Sequence, residues 1–216
     1  RIVHLETELA AVRKNREQRR ARRTRKDVPV ISIVGYTNAG KSTLLNTLTH
    51  SGVFVENKLF ATLDPTSRRL RFPRDIEVII TDTVGFIRDL PKDLMEAFGA
   101  TLEELSDADL LLHVVDLSNP QFENQIRAVD RILADLNLRQ KPTLLVFNKM
   151  DRADPALVER VLRRHGGVAV SALSTKTLEP LILAMEEQIT AQLEEGLFPR
   201  ALGETEEGGS DPWTAR

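Results

Sequence analysis

From Val30 onward, apolar positions alternate between two rhythms. Short runs with almost no polar interruption, VISIV (30–34), LLLHVVD (110–116) and PTLLVFN (142–148), are the pattern of strands buried on both faces. VAVSA (168–172) predicts a further short strand, and the adjacent runs SRRLRFP (67–73) and IEVIITD (76–82) predict a hairpin. Between these runs, apolar residues recur at three- and four-residue spacing. That period predicts helices from about Lys41 to His50 and over 91–105, 124–136, 155–164 and 178–193, with Pro91 suited to a first turn. Residues 51–67 show neither rhythm. The alternation predicts an α/β fold: a mainly parallel six-stranded sheet with one antiparallel edge strand and helices on both faces.

The ends of the chain follow other patterns. RIVHLETELAAV sets Ile2, Leu5, Leu9 and Val12 on one stripe, too narrow for a core and suited to packing against a single helix. RKNREQRRARRTRK continues with good helix formers and almost nothing apolar. As a helix it would be a rod of positive charge about 20 Å long, broken at Asp27-Val28-Pro29. GETEEGGSDPWTAR (203–216) is Gly-rich and acidic and predicts a disordered tail, with Trp213 a solvent-exposed ring. The expected division is a basic helical arm over 1–27, one domain over 28–196 and a flexible acidic tail over 197–216. No internal repeat is found.

Composition sharpens this picture at one point. The net charge of −2 hides ten Lys and Arg against three Asp and Glu in residues 1–26, so the rest of the chain is strongly acidic. A basic arm on an acidic body suits a polyanionic partner, or else a solvated helix face. A length of 216 residues with 41% hydrophobic content suits one core plus appendages. There are no cysteines, which excludes disulfides and thiolate metal sites. His4, His50, His113 and His165 show no ligand spacing and are read as structural. No apolar run approaches the roughly 20 residues of a membrane span, and no signal peptide is seen, so a cytoplasmic location is expected. The chain starts at Arg1, and an upstream domain is expected.

Four short segments carry chemistry. GYTNAGKS, with residues Gly35, Tyr36, Thr37, Asn38, Ala39, Gly40, Lys41 and Ser42 and with Thr43 behind them, lies between a strand and a helix. The glycines let backbone N–H groups turn in around phosphate oxygens. Lys41 supplies a cation to the β and γ phosphates, Ser42 a hydroxyl ligand for Mg²⁺, and the helix N-terminus points at the anion. DTVG (Asp82, Thr83, Val84, Gly85) ends a strand; Asp82 can hold Mg²⁺ through water and the Gly85 N–H can reach a γ phosphate. NKMD (Asn148, Lys149, Met150, Asp151) selects the base. Guanine presents N1–H beside an exocyclic amino group, and the Asp151 carboxylate can accept from both, whereas adenine has no such pair. Asn148 can bridge to the glycine loop and the Lys149 stem can lie over the base. SAL (Ser171, Ala172, Leu173) ends the next strand, where a backbone N–H can meet guanine O6. The nucleotide is therefore expected to be GTP.

In this order the segments resemble the translation-factor-like class of P-loop GTPases over about residues 28–195. GYTNAGKSTL, LFATLDPTSRRL, DTVGFIRDLP and RKNREQRRARRTR are closely similar to the HflX family of ribosome-associated GTPases. The resemblance implies the end of a helical linker plus the GTPase domain, with the family's N-terminal domain absent. It also implies binding to the large ribosomal subunit, in splitting stalled ribosomes or in biogenesis; the basic arm is expected on rRNA and the chain is expected to be a monomer. By the same resemblance, Phe60, Ala61, Thr62, Leu63 and Asp64 form the first switch loop, and Thr62 ligates Mg²⁺ and senses the γ phosphate, with Thr66 as the alternative. The γ phosphate would order residues 51–67 and 86–96.

Hydrolysis is incompletely equipped. Many small GTPases place a water-orienting Gln after DxxG; here that position is Phe86. Lys41, Thr62 and Gly85 are left as the catalytic candidates, and a slow intrinsic rate raised by ribosomal particles is expected. Asn38 resembles the residue that helps bind K⁺ in a subset of GTPases, or is simply a solvent-facing loop residue. Turnover in KCl against NaCl decides between them.

Overall fold

The structure is a computed structural model, and it describes residues 28–50, 67–82 and 105–194. Its strands are β1 (Val30–Gly35), β2 (Ser67–Arg71), β3 (Glu77–Asp82), β4 (Leu110–Asp116), β5 (Thr143–Asn148) and β6 (Val168–Ala169). The helices are α1 (Lys41–His50), α2 (Phe122–Asp135), α3 (Pro155–His165) and α4 (Glu179–Glu194). The arm, the segment between α1 and β2, most of the helix expected over 91–105, and the tail lie outside the described residues.

The six strands form one sheet in the order β2-β3-β1-β4-β5-β6. All neighbours are parallel except β2 on β3, the predicted hairpin. Alternation along β4 shows why its sequence is a continuous apolar run. Leu110, Leu112 and Val114 join Ile31, Ile33 and Ile80 under Leu44 and Leu48 of α1 and Met185 and Ile189 of α4. On the opposite face, Leu111 and Val34 meet Val129 and Leu133 of α2. Val115 and Phe147 meet Phe122 and Ile126 of α2 and Val161 of α3. A strand covered on both faces has no polar side to show.

Register places the functional edge. Gly35 pairs with Val114, Ile33 with Asp82 and Asp116 with Asn148. The carboxyl ends of β1, β3, β4 and β5 therefore meet at one margin of the sheet, the usual place for ligands in open α/β folds. At the hairpin's turn, the Arg74 N–H donates to Glu186 Oε1 at 2.6 Å, so α4 holds β2 and β3 in place.

β6 is shorter than expected, ending at Ala169 instead of running through Ala172. The Val170 N–H still donates to Phe147 O at 2.9 Å, but Met150 N–H takes Val170 O at 3.1 Å and Ser171 N–H goes to Thr177 Oγ1 at 2.9 Å. Backbone groups of 170–172 are committed to turns, and the ladder stops.

Candidate nucleotide-binding site

The loop after β1 is shaped by two close approaches. A Cβ on Gly35 (φ +148°) would lie 2.3 Å from Val114 O, and one on Gly40 (φ +94°) 2.3 Å from Asn148 Nδ2. Asn38 takes the left-handed region at φ 62°, which its short polar side chain tolerates. Helix α1 begins at Lys41, so the N–H groups of Lys41, Ser42 and Thr43 have no intrahelical acceptor, and its first turn holds no acidic residue. The loop thus ends in a cluster of donors at the positive end of a helix dipole.

Lys41 is buried, and its Nζ donates to Gly35 O at 3.2 Å and Tyr36 O at 3.1 Å. Burial lowers its pKa, with the Asp82 charge working the other way. A desolvated ammonium resting on two neutral carbonyls lacks a full counter-charge within the loop, the kind of charge an anionic ligand would supply.

The β3 end adds oxygens. Ser42 Oγ donates to Asp82 Oδ2 at 2.5 Å, while Asp82 Oδ1 is buried without a hydrogen-bond partner among the described residues. A hydroxyl and a carboxylate with an unsatisfied oxygen suit a hard cation such as Mg²⁺, so these residues fit the ion. Among the described residues there is no group of three or more His, Cys, Asp or Glu that could hold a metal by itself.

Asn148 joins the two ends of the site. Its Nδ2 donates to Ala39 O at 2.8 Å and its Oδ1 accepts from Ala172 N–H at 2.9 Å. Thr47 of α1 adds a third tie, donating to Ala172 O at 2.6 Å. With the Ser171 and Ala172 N–H groups committed in this way, Leu173 carries the N–H of this turn that makes no hydrogen bond among the described residues.

These elements enclose a cleft of about 250 Å³ lined by Asn38, Gly40, Thr43, Asn148, Lys149 and Asp151 and closed by Arg152 and residues 171–173. Asp151 sits in the 3₁₀ turn Met150–Arg152, its carboxylate 41% exposed and 3.9 Å from Arg152 Nε. It is a partly open acceptor facing a concave wall. Leu173 is 73% exposed, an apolar residue at the same wall.

One residue at this margin was not singled out from sequence. Asp116, at the end of β4, holds Lys149 Nζ at 2.6 Å, and the same Nζ reaches Asn38 O at 2.9 Å. Its signal was the Asp closing LLLHVVD, one strand before the Asn closing PTLLVFN. Of the expected site residues, Phe60, Ala61, Thr62, Leu63, Asp64, Thr83, Val84 and Gly85, together with Thr66 and Phe86, lie outside the described residues. Tyr36 and Thr37 stand in the glycine loop but do not line the cleft.

Sheet order, glycine loop and base-side turn together define a P-loop GTPase domain. The family model described as 50S ribosome-binding GTPase matches residues 30–149. Over 202 residues the chain is 47% identical to the GTPase HflX of Caldanaerobacter subterraneus, covering 92% of this chain and 46% of that protein. Against the GTPase HflX of Escherichia coli the figures are 42% over 196 residues, 89% of this chain and 46% of the relative. The chain belongs to the 50S ribosome-binding GTPase family, on its HflX branch. It spans about half the length of the curated relatives it matches. In structure it is similar to a GTP-binding protein from Sulfolobus solfataricus solved in complex with GDP. The TM-score is 0.60 at 27% identity, covering 88% of this chain and 61% of the other.

Proposed function

We propose that the chain binds GTP across this margin, hydrolyses it to GDP and phosphate, and so switches its affinity for the large ribosomal subunit. The observation that supports this best is Asn148, one side chain bonded to both the glycine loop and the turn at 171–173. It makes the phosphate end and the base end a single frame.

Within that frame the roles divide by chemistry. Lys41 and the N–H groups at the start of α1 neutralise phosphate oxygens, and Asp151 accepts the paired donors of guanine. The Leu173 N–H is the open donor for O6. Ser42 and Asp82, with Thr62 by family resemblance, would hold Mg²⁺, which when bound offsets charge on the β and γ phosphates. The Gly85 N–H would meet the γ phosphate. With Phe86 where a Gln orients water in many small GTPases, intrinsic turnover is expected on the order of 10⁻⁴ to 10⁻² s⁻¹.

Nucleotide panels and ribosomal particles test the proposal. Asp151→Asn should weaken GDP binding on the order of 100-fold and restore it for xanthosine diphosphate, because the carboxamide reverses one hydrogen-bond direction. Equal affinity of the wild type for ADP and GDP would sink the guanine reading. Purified large subunits should raise GTP turnover at least tenfold, and unchanged turnover on subunits that do bind would favour the alternative. That alternative is a nucleotide-gated RNA-binding module with incidental hydrolysis, favoured by the charge of residues 1–26. Arm contacts to RNA phosphates should make affinity fall steeply with salt, each adding a little under one unit of log–log slope.

A further inference from the structure

We propose that Asp116 is a positioning residue of the nucleotide site, whose carboxylate clamps Lys149 across the cleft and thereby sets how long the nucleotide stays bound. This rests on reading the cleft as the guanine-nucleotide site and assigns its residence time to a residue outside the sequence motifs.

Lys149 needs holding. Its backbone sits at φ 62°, a left-handed conformation that costs a residue with a Cβ energy unless its surroundings repay it. Its Nζ supplies that restraint through two bonds, 2.6 Å to Asp116 Oδ2 and 2.9 Å to Asn38 O. The side chains of the ion pair are only 20% and 13% exposed, so solvent screens it far less than a surface pair. Lys149 lines the cleft and Asp116 does not, so any effect of Asp116 on the nucleotide passes through the lysine.

Asp116 is itself immobilised. Its second oxygen, Oδ1, accepts from Ser118 N–H at 2.9 Å and Ser118 Oγ at 2.6 Å, which leaves the carboxylate one orientation. Its backbone pairs in register with Asn148, and Leu117 N–H donates to Asn148 O at 3.0 Å. The residue that fixes Lys149 is thus in register with the residue that braces the glycine loop, and its neighbour Leu117 is bonded to it. Burial alone would raise the Asp116 pKa, but the bonds from Lys149 and Ser118 outweigh it and the net direction is down. The carboxylate is therefore charged throughout the neutral range. The chain of bonds runs from β4 through Lys149 to the Asn38 carbonyl, and breaking it at Asp116 leaves the lysine held at that carbonyl alone.

A turn-forming role for Asp116, through Ser118 alone, is the competing account, and a double-mutant cycle separates the two. The full chain is loaded with a ribose-labelled fluorescent GDP and chased with excess GDP. Asp116→Asn and Lys149→Met should each speed release roughly tenfold, and the double variant should be no faster than the faster single. Damage to the turn predicts the opposite pattern, with Ser118→Ala speeding release as much as Asp116→Asn and Lys149→Met leaving release unchanged. Ser118→Ala, which keeps the lysine pair but loosens the carboxylate, should speed release about twofold. If Asp116→Asn does not fold, Ser118→Ala and Lys149→Met form the cycle instead. Release from Asp116→Asn within twofold of wild type, or factors that multiply in the double variant, would overturn the proposal. A wild-type chain that fails to take up labelled GDP would overturn the guanine reading instead.

Discussion

Gly40 and Asn148 constrain each other across 108 positions of sequence. Asn148 Nδ2, the atom a Gly40 Cβ would strike at 2.3 Å, is the donor to Ala39 O. Gly40→Ala therefore meets both an unfavourable φ and the loss of a buried hydrogen bond. The expected result is a destabilisation of about 2–4 kcal/mol and loss of measurable GDP binding, checked by denaturant unfolding and by titration with a fluorescent GDP analogue. Both residues were legible singly, one as a phosphate-loop glycine and the other as a bridge to that loop. Their mutual fit was not, because it depends on how closely the β5 end approaches the loop.

The element most completely written in local sequence is α3. Asp154 caps it by accepting the Ala156 N–H at 2.8 Å, Pro155 starts it, and Gly166 (φ 70°) ends it after Arg163, Arg164 and His165. Each of these is a nearest-neighbour effect, so the expected limits over 155–164 fall within one residue of the observed helix. Asp154→Ala should cost about 1 kcal/mol of stability with GDP affinity nearly unchanged, since the cap lies beyond the 3₁₀ turn that carries Asp151. Calorimetry on both proteins, with and without GDP, checks this. β6 is the contrary case. Its apolar run predicted five strand positions, but side-chain and turn acceptors captured the backbone after Ala169, and a two-residue strand remains.

For the molecule as a whole, the doubly covered sheet buries a histidine that resists protonation. His113, in the middle of β4, is 1% exposed, and burial pushes its pKa down from 6.5 to about 4. The unfolded chain binds this proton near pH 6.5 and the folded chain only near 4. The contribution to stability is therefore whole above pH 6.5 and falls as pH drops through that window, by about 2 kcal/mol at pH 5. His113→Leu should flatten this part of the profile, read from guanidinium midpoints at pH 7.5 and 5. A parallel decline in both proteins would assign the effect to other groups. Among the described residues, no helix is long and apolar enough to cross a membrane.

The sequence by itself determined the order of strands and helices, the antiparallel hairpin, the glycine loop and the base-side turn. All of these follow from hydrophobic period or from chemistry confined to a few neighbouring residues. The tertiary structure alone decided the order β2-β3-β1-β4-β5-β6, the length of β6, the double grip of Asn148 and the clamp of Asp116 on Lys149. Each of these depends on groups tens of residues apart being brought within hydrogen-bond distance. Only the packing of one strand against another sets that distance.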